Sequence, residues 1–280
     1  MLTRRATALG AIAACVPAGA AHATPIRVVS LNPCLDTILV HVADRSQIAA
    51  LSHYAREPGA STIADIARTL PFTYESAEEI VALRPSLVLA SHHSGLATRQ
   101  ALARLGVEVA TYGVPDSVEA SIAQIADVAR RVGRQQNAAT LIERIRARLA
   151  EAERGATRRP IKALVFQARG LVAGEGTLAD ELMRRIGFDN VAARYGVHQW
   201  GNAPLELLIA DPPELLLAGS AAPGAPTSAE RMLSHPALAS IAPRMRRADF
   251  PAACLYCGGP VLLQTTRVLA AARDAFWAGR

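Results

Sequence analysis

The chain has 280 residues, a formal charge of +6 and 51% apolar side chains, but only five Tyr, five Phe and two Trp. Its basic residues are scattered over helical stretches rather than clustered with stacking aromatics, which excludes a nucleic-acid binder. The length suits one large or two medium domains, and beyond the N-terminal stretch no apolar run could span a bilayer.

The leader comes first. Met1 to Arg5 is basic, an apolar run extends from Ala6 to Ala21, and Ala21-His22-Ala23 precedes Thr24-Pro25. A charged n-region, a short h-region and an A-x-A site predict a cleavable signal peptide over residues 1–23 and a periplasmic protein. Gly10, Pro17 and Gly19 speak against a buried first helix. Arg4-Arg5 leaves twin-arginine export open, and Ile12-Ala13-Ala14-Cys15 leaves a lipoprotein open. Cleavage after Ala23 leaves 280 − 23 = 257 residues and, with Arg4 and Arg5 gone, a charge of +4. Cys34, Cys254 and Cys257 remain, an odd number for an oxidising compartment, so at least one is a free thiol or a ligand.

Ile26–Leu31 is a short apolar run rich in β-branched residues, the pattern of a strand buried on both faces. Asn32-Pro33 breaks it, and a helix is expected from Asp36 through Ile38, Leu39 and Val42. An apolar step at Ile48–Leu51 leads to His53-Tyr54. Ser76-Ala77-Glu78-Glu79 starts a helix with acid in its first turn. Pro85 stops it, Leu87–Ala90 is another buried strand, and His92-His93-Ser94-Gly95 forms the loop at its end. A helix over 97–105, a strand over 107–112 and a helix from Ser117 continue an alternation that implies a parallel sheet covered by helices.

Asn137–Arg154 carries the longest clean helical period. Ala138, Leu141, Ile142, Ile145, Leu149 and Ala152 share one stripe, with Glu143, Arg144, Arg146, Arg148 and Glu151 opposite. At about 1.5 Å per residue it spans roughly 27 Å, enough for a strut between two halves. Beyond it, Ile161–Phe166 is a buried strand, and helices are expected near 178–186 and 205–210.

The halves repeat. Glu78 to Ala90 aligns without a gap on Glu206 to Ala218, at an offset of 206 − 78 = 128, and at that offset Phe72 meets Trp200. Helix, proline, strand is a common α/β phrase, but the matched glutamate and aromatic favour two similar lobes.

Ser30-Leu31-Asn32-Pro33, Glu78 within E-x-I-V-A-L-x-P-x-L-V, the strut and the second E-x-x-x-A-x-x-P resemble the periplasmic binding proteins of iron-siderophore, heme and cobalamin ABC importers, over essentially all of the mature chain. The cobalamin-binding member is the nearest form. The resemblance implies an α/β fold of two Rossmann-like lobes with mostly parallel sheets joined by one long rigid helix, the class III arrangement. It divides the chain into a signal peptide (1–23), an N-terminal lobe (24–133), a connecting helix (134–157) and a C-terminal lobe (158–280). It also implies a monomeric binder, not an enzyme. The ligand, a metal chelate of the cobalamin, heme or ferric siderophore class, would lie between the lobes, with no cofactor of the protein's own, and pass to an ABC permease dimer with its ATPase. Glu78 and Glu206 match the glutamates that dock on the permease, where paired like charges steer a symmetric partner.

Tyr54, Phe72 and Trp200 align with aromatics that touch ligand in the cobalamin binder, whereas Leu171 stands where that binder has another aromatic. In the loop Cys254-Leu255-Tyr256-Cys257-Gly258-Gly259-Pro260, Ala253 and Cys257 replace an acid and an arginine. Cys34, His92, His93, Cys254, Tyr256 and Cys257 are therefore further candidates for the cleft. Three readings of the cysteines stand: a Cys254–Cys257 disulfide, a metal site joining Cys34, His92, Cys254 and Cys257, and a thiol redox pair. They carry two alternative functions, binding of a bare metal ion and thiol oxidoreductase activity. No nucleophile elbow, H-E-x-x-H, phosphate loop or paired catalytic carboxylates occur.

Overall fold

The computed structural model describes residues 26–167, 170–219 and 244–279; the predicted leader, with Arg4, Arg5 and Cys15, lies outside them. Two sheets flank one long helix. The first half contributes β1 (Val28–Ser30), β2 (Ile48–Ser52), β3 (Phe72–Thr73), β4 (Leu87–Ser91) and β5 (Glu108–Tyr112). They pair in the order β3-β2-β1-β4-β5, all parallel. Every residue of β1, β2 and β4 is buried, as expected of strands covered on both faces. The connecting helices are α1 (Pro33–Val42), α2 (Ala64–Ala67), α3 (Ala77–Ala82), α4 (Leu96–Arg104) and α5 (Val118–Arg131).

The first helix starts earlier than Asp36. Asn32 is its N-cap, accepting hydrogen bonds from the Cys34 and Leu35 amides, and Pro33 takes the first helical position. Proline is tolerated there because that amide would have no helical partner anyway. Cys34 thus sits in the first turn of α1, at the carboxyl end of β1.

The long helix, α6, covers Gln135–Arg154, two residues more than its stripe predicts. Ala138, Leu141, Ile145, Leu149 and Ala152 are buried and Ile142 partly so. The helix packs on α1 and α5 of the first half and on α7 (Leu178–Ile186) and α9 (Val261–Ala278) of the second. Its stripe belongs to one continuous hydrophobic core that extends from Val28 and Leu89 in the first sheet to Val165 and Leu217 in the second. A hinge across such a core cannot bend freely, because flexing would open packed contacts.

The second sheet runs β11-β10-β6-β7-β9, with β8 (Phe188–Asn190) paired to β6. Here β6 (Ile161–Phe166), β10 (Leu215–Ala218) and β11 (Arg246–Asp249) are parallel, while β7 (Leu171–Ala173) and β9 (Trp200–Asn202) join antiparallel. The offset of 128 is visible element by element: β3, α3 and β4 recur as β9, α8 (Leu205–Ala210) and β10. The copies differ in pairing, since β3 lies parallel to β2 but β9 antiparallel to β7. Among the described residues no helix is long and apolar enough to cross a membrane.

Candidate functional site

The carboxyl ends of the first sheet's strands present His53-Tyr54, Tyr74-Glu75, Cys34, His92-His93 and Val114-Pro115-Asp116 on one edge, where parallel sheets present ligand sites. Facing them from the second half are Trp200, at the start of β9, and the loop before α9.

That loop is held tightly. Gly258 and Gly259 lie against α1 and α5: a Cβ on Gly258 would come 2.5 Å from Ser121 Oγ, and one on Gly259 2.8 Å from Ile38. Gly259 also adopts φ 65°, a backbone that favours glycine, and donates its amide to Ser121 Oγ. A second tie runs from α7, where Glu181 accepts the Val118 amide at 2.8 Å and so caps α5 from the other half.

The cysteines differ from every pairing expected. Cys257 forms a disulfide with Cys34, 223 residues away, and Cys254 is a free, buried thiol. The reason is geometric: Cys254 ends a short 3₁₀ turn (Ala252–Cys254) and points into the hydrophobic core, while Cys257 lies where the loop crosses to α1. The bond joins the two halves at the cleft. It also corrects the other two cysteine readings. Cys34 and Cys257 have no thiolate to offer a metal, and among the described residues no group of three or more His, Cys, Asp or Glu converges as a metal site. A redox pair needs Cys254 and Cys257 together, but Cys257 is taken, and burial pushes the Cys254 thiol up, away from the reactive thiolate.

Trp200 and Tyr256 stack with ring centroids 6.2 Å apart, and each is more than 40% exposed. With Gln199, Leu255, Gly176, Thr177 and Leu178 they face Val114, Pro115 and Asp116 across a cavity of about 150 Å³. Small-molecule sites generally hold about 300–1,000 Å³, so a large ligand would require these walls to part. Leu171 lies on β7 beside Asn202 of β9, leaving Trp200 and Tyr256 as the aromatics of this wall.

A second aromatic group lies at the far edge of the first sheet. The His53 ring contacts Tyr54 at 3.8 Å and Tyr74 at 5.2 Å, Phe72 meets Tyr74 edge-on, and the Arg56 guanidinium lies 4.3 Å over Phe72. Tyr54, Phe72 and Tyr74 are all exposed. Beneath them His53 Nδ1 and Glu75 Oε1 are buried without a partner among the described residues. Glu75 holds a left-handed backbone at φ 72°, an arrangement that costs a non-glycine residue about 1–3 kcal/mol. Burial pushes its carboxyl up, and nearby His53 draws it back down. Deeper still, fully buried Asp36 accepts from Ser52 Oγ and the Ser52 amide, yet burial outweighs these bonds and pushes its carboxyl up to about 8.

Tyr54 and Phe72 thus share one group and Trp200 and Tyr256 another. His92 and His93 stand apart, exposed on the turn after β4. Glu78 and Glu206 are exposed in the first turns of α3 and α8. Sequence reasoning missed His53, Arg56, Tyr74, Glu75, Gln199 and Val114–Asp116. Tyr74 and Glu75 follow a two-residue strand too short to recognise, although an aromatic directly after Phe72-Thr73 was the available signal.

The structure resembles solved periplasmic binding proteins along nearly its whole length. The heme-binding protein RhuT from Roseiflexus sp. RS-1 is 24% identical with a TM-score of 0.69, covering 89% of this chain and 99% of that one. The heme-binding protein HutB of Vibrio cholerae is 20% identical with a TM-score of 0.70, covering 89% and 98%. The vitamin B12 binding protein BtuF of Vibrio cholerae is 16% identical with a TM-score of 0.67, covering 90% and 97%. At these identities the likeness demonstrates a shared fold. A sequence search of curated proteins finds no match. The family model described as periplasmic binding protein matches residues 28–243. With its two α/β halves, connecting helix and intervening cleft, the chain belongs to the periplasmic binding protein family.

Proposed function

We propose that the chain is the solute-binding component of an ABC importer, capturing a metal chelate of the heme, cobalamin or ferric siderophore class between its lobes. The observation that carries this is the presence of two exposed aromatic groups, Trp200 with Tyr256 on the wall of the cavity and Tyr54 with Phe72 and Tyr74 at the carboxyl ends of the first sheet's strands. Large flat ligands bury area against rings at little conformational cost, and Tyr and Trp keep a polar tip for a partly wet site. Neighbours that bind heme and vitamin B12, and one from an Fe3+-hydroxamate transport system, support this ligand class. Capture needs no chemistry: the lobes enclose the ligand and the protein carries it.

The same reading has the chain exported by its leader, cut after Ala23, to a periplasm where the Cys34–Cys257 bond persists. The domain division 24–133, 134–157 and 158–280 then describes two lobes and their strut. As a monomer it would present Glu78 and Glu206 to the two subunits of the permease, while Cys34, Tyr54, Phe72, Trp200, Tyr256 and Cys257 border the ligand. His92 and His93 border its rim. Cys254 has no place in this site, being buried in the core.

The test is quenching of intrinsic fluorescence by hemin, cyanocobalamin and ferric hydroxamate siderophores, in the parent and in Trp200→Phe. Saturable quenching by one of these, lost in Trp200→Phe while Trp277 still reports, is the expected outcome. No saturable binding by any of the three would overturn the proposal.

A further inference from the structure

Away from the cleft, a continuous seam of arginine runs along α6 and α9. Where α6 packs along α9, a groove of about 530 Å³ is lined by Arg144, Ala147, Arg148, Glu151, Arg154, Leu263 and Arg267. It continues through a cavity of about 400 Å³ beside Gly155, Thr266 and Arg273 into one of about 290 Å³ walled by Trp277. There the Arg158 and Arg159 guanidinium groups lie 5.1 and 5.4 Å over the Trp277 ring. None of the lining residues belongs to the cleft between Asp116 and Trp200.

Most of this charge is unspent. Arg148 pairs with Glu151, Arg159 grips Glu214 with both terminal nitrogens, and buried Arg273 serves the carbonyls of Ala152 and Ile186 and pairs with Asp274, which lines the two cavities nearer Trp277. Arg144, Arg154, Arg158 and Arg267 have no acidic partner among the described residues. Four arginines concentrated in one seam repel one another, a cost that a matching anion would relieve. Arginine's planar fork suits carboxylates in particular.

We propose that this seam docks an extended acidic peptide segment of a partner protein. Four features favour a peptide over other polyanions. The charges line a groove, which a flat anionic bilayer would bridge rather than enter. Arg144 and Arg148 are one helical turn apart, about 6 Å, close to the roughly 6.8 Å between alternate side chains of an extended strand. Glu151 interrupts the basic row, which a chain charged at every unit must pass at a cost, whereas a peptide can set an uncharged residue there. The small apolar floor of Ala147 and Leu263 leaves room for backbone.

The test is fluorescence anisotropy of a labelled peptide alternating Glu and Gly, with the Gln–Gly peptide, inorganic polyphosphate and phosphatidylglycerol vesicles as separate arms. The Glu peptide should bind, weaken with salt, and bind at least about tenfold more weakly to the Arg144→Gln, Arg154→Gln, Arg267→Gln triple variant. Arg146→Gln, on another face of α6 and paired with Glu119, should leave binding unchanged. All of these arginines are exposed, and circular dichroism checks that each variant is folded. Equal binding of Glu and Gln peptides, equal loss in Arg146→Gln, or binding of polyphosphate or vesicles without the Glu peptide would overturn the proposal.

Discussion

Replacing Cys34 and Cys257 together by serine removes the disulfide between the halves while adding no new thiol. The bond closes 223 residues, and the chain-entropy relation then assigns it about 5 kcal/mol at 25 °C. The same relation gives only about 2 kcal/mol for a bridge between Cys254 and Cys257, three residues apart, so the magnitude itself discriminates the two pairings. Native-state adjustments usually reduce such values, and a loss of about 3–5 kcal/mol is expected. The assay is urea unfolding of the oxidised parent, the reduced parent and the double variant, alongside a non-reducing peptide map. Reduced parent and double variant should shift to the same lower midpoint. A loss below about 2 kcal/mol, or a map joining Cys254 to Cys257, would refute the reasoning.

Ile145→Ala, in the middle of the α6 stripe, should cost about 2–5 kcal/mol, because Ile145 is fully buried in the core common to both halves; calorimetry should show a single transition moved down, and separate melting of two units would contradict a shared core. Asp36 supplies a pH test. Its folded carboxyl is raised to about 8, so between about pH 4 and 8 the folded chain holds a proton that the unfolded chain has released, and stability falls as pH rises through that window. Asp36→Asn should remove this fall and be the more stable protein at pH 8, measured by urea midpoints at pH 5 and 8; a parallel pH dependence in both would contradict the assignment. For docking, the Glu78→Ala, Glu206→Ala double variant should bind its ligand normally yet support at least about tenfold slower uptake into reconstituted vesicles, and uptake at the parent rate would rule docking out.

Much of the architecture is legible because it rests on local periodicity. The α6 stripe from Ala138 to Ala152, the buried runs at Val28–Ser30 and Leu87–Ser91, and the 128-residue offset each follow from side chains that must face one core. Asn32-Pro33 was readable only in part, since the same dipeptide can end a strand or open a helix, and here it does both. The antiparallel joining of β7 and β9 was not legible, because pairing direction depends on where two short strands meet and not on their composition. The candidate site was half legible: Tyr54, Phe72 and Trp200 came from the family resemblance and Tyr256 from its place between Cys254 and Cys257, but Tyr74, Glu75 and Arg56 join them only through contacts between neighbouring strand ends.

The cysteines draw the line most clearly. Residue order alone determined that three cysteines follow the predicted leader, an odd number, and that two of them lie three residues apart. Which two pair was decided only by the tertiary structure. Spacing along the chain says nothing of which sulfur the core buries: Cys254 turns into the apolar interior, while the glycines after Cys257 let its loop press against α1, within reach of Cys34. A disulfide needs its two Cβ atoms a few ångströms apart, and the fold meets that condition across 223 residues, with the Cys34 and Cys257 Cα atoms 5.0 Å apart.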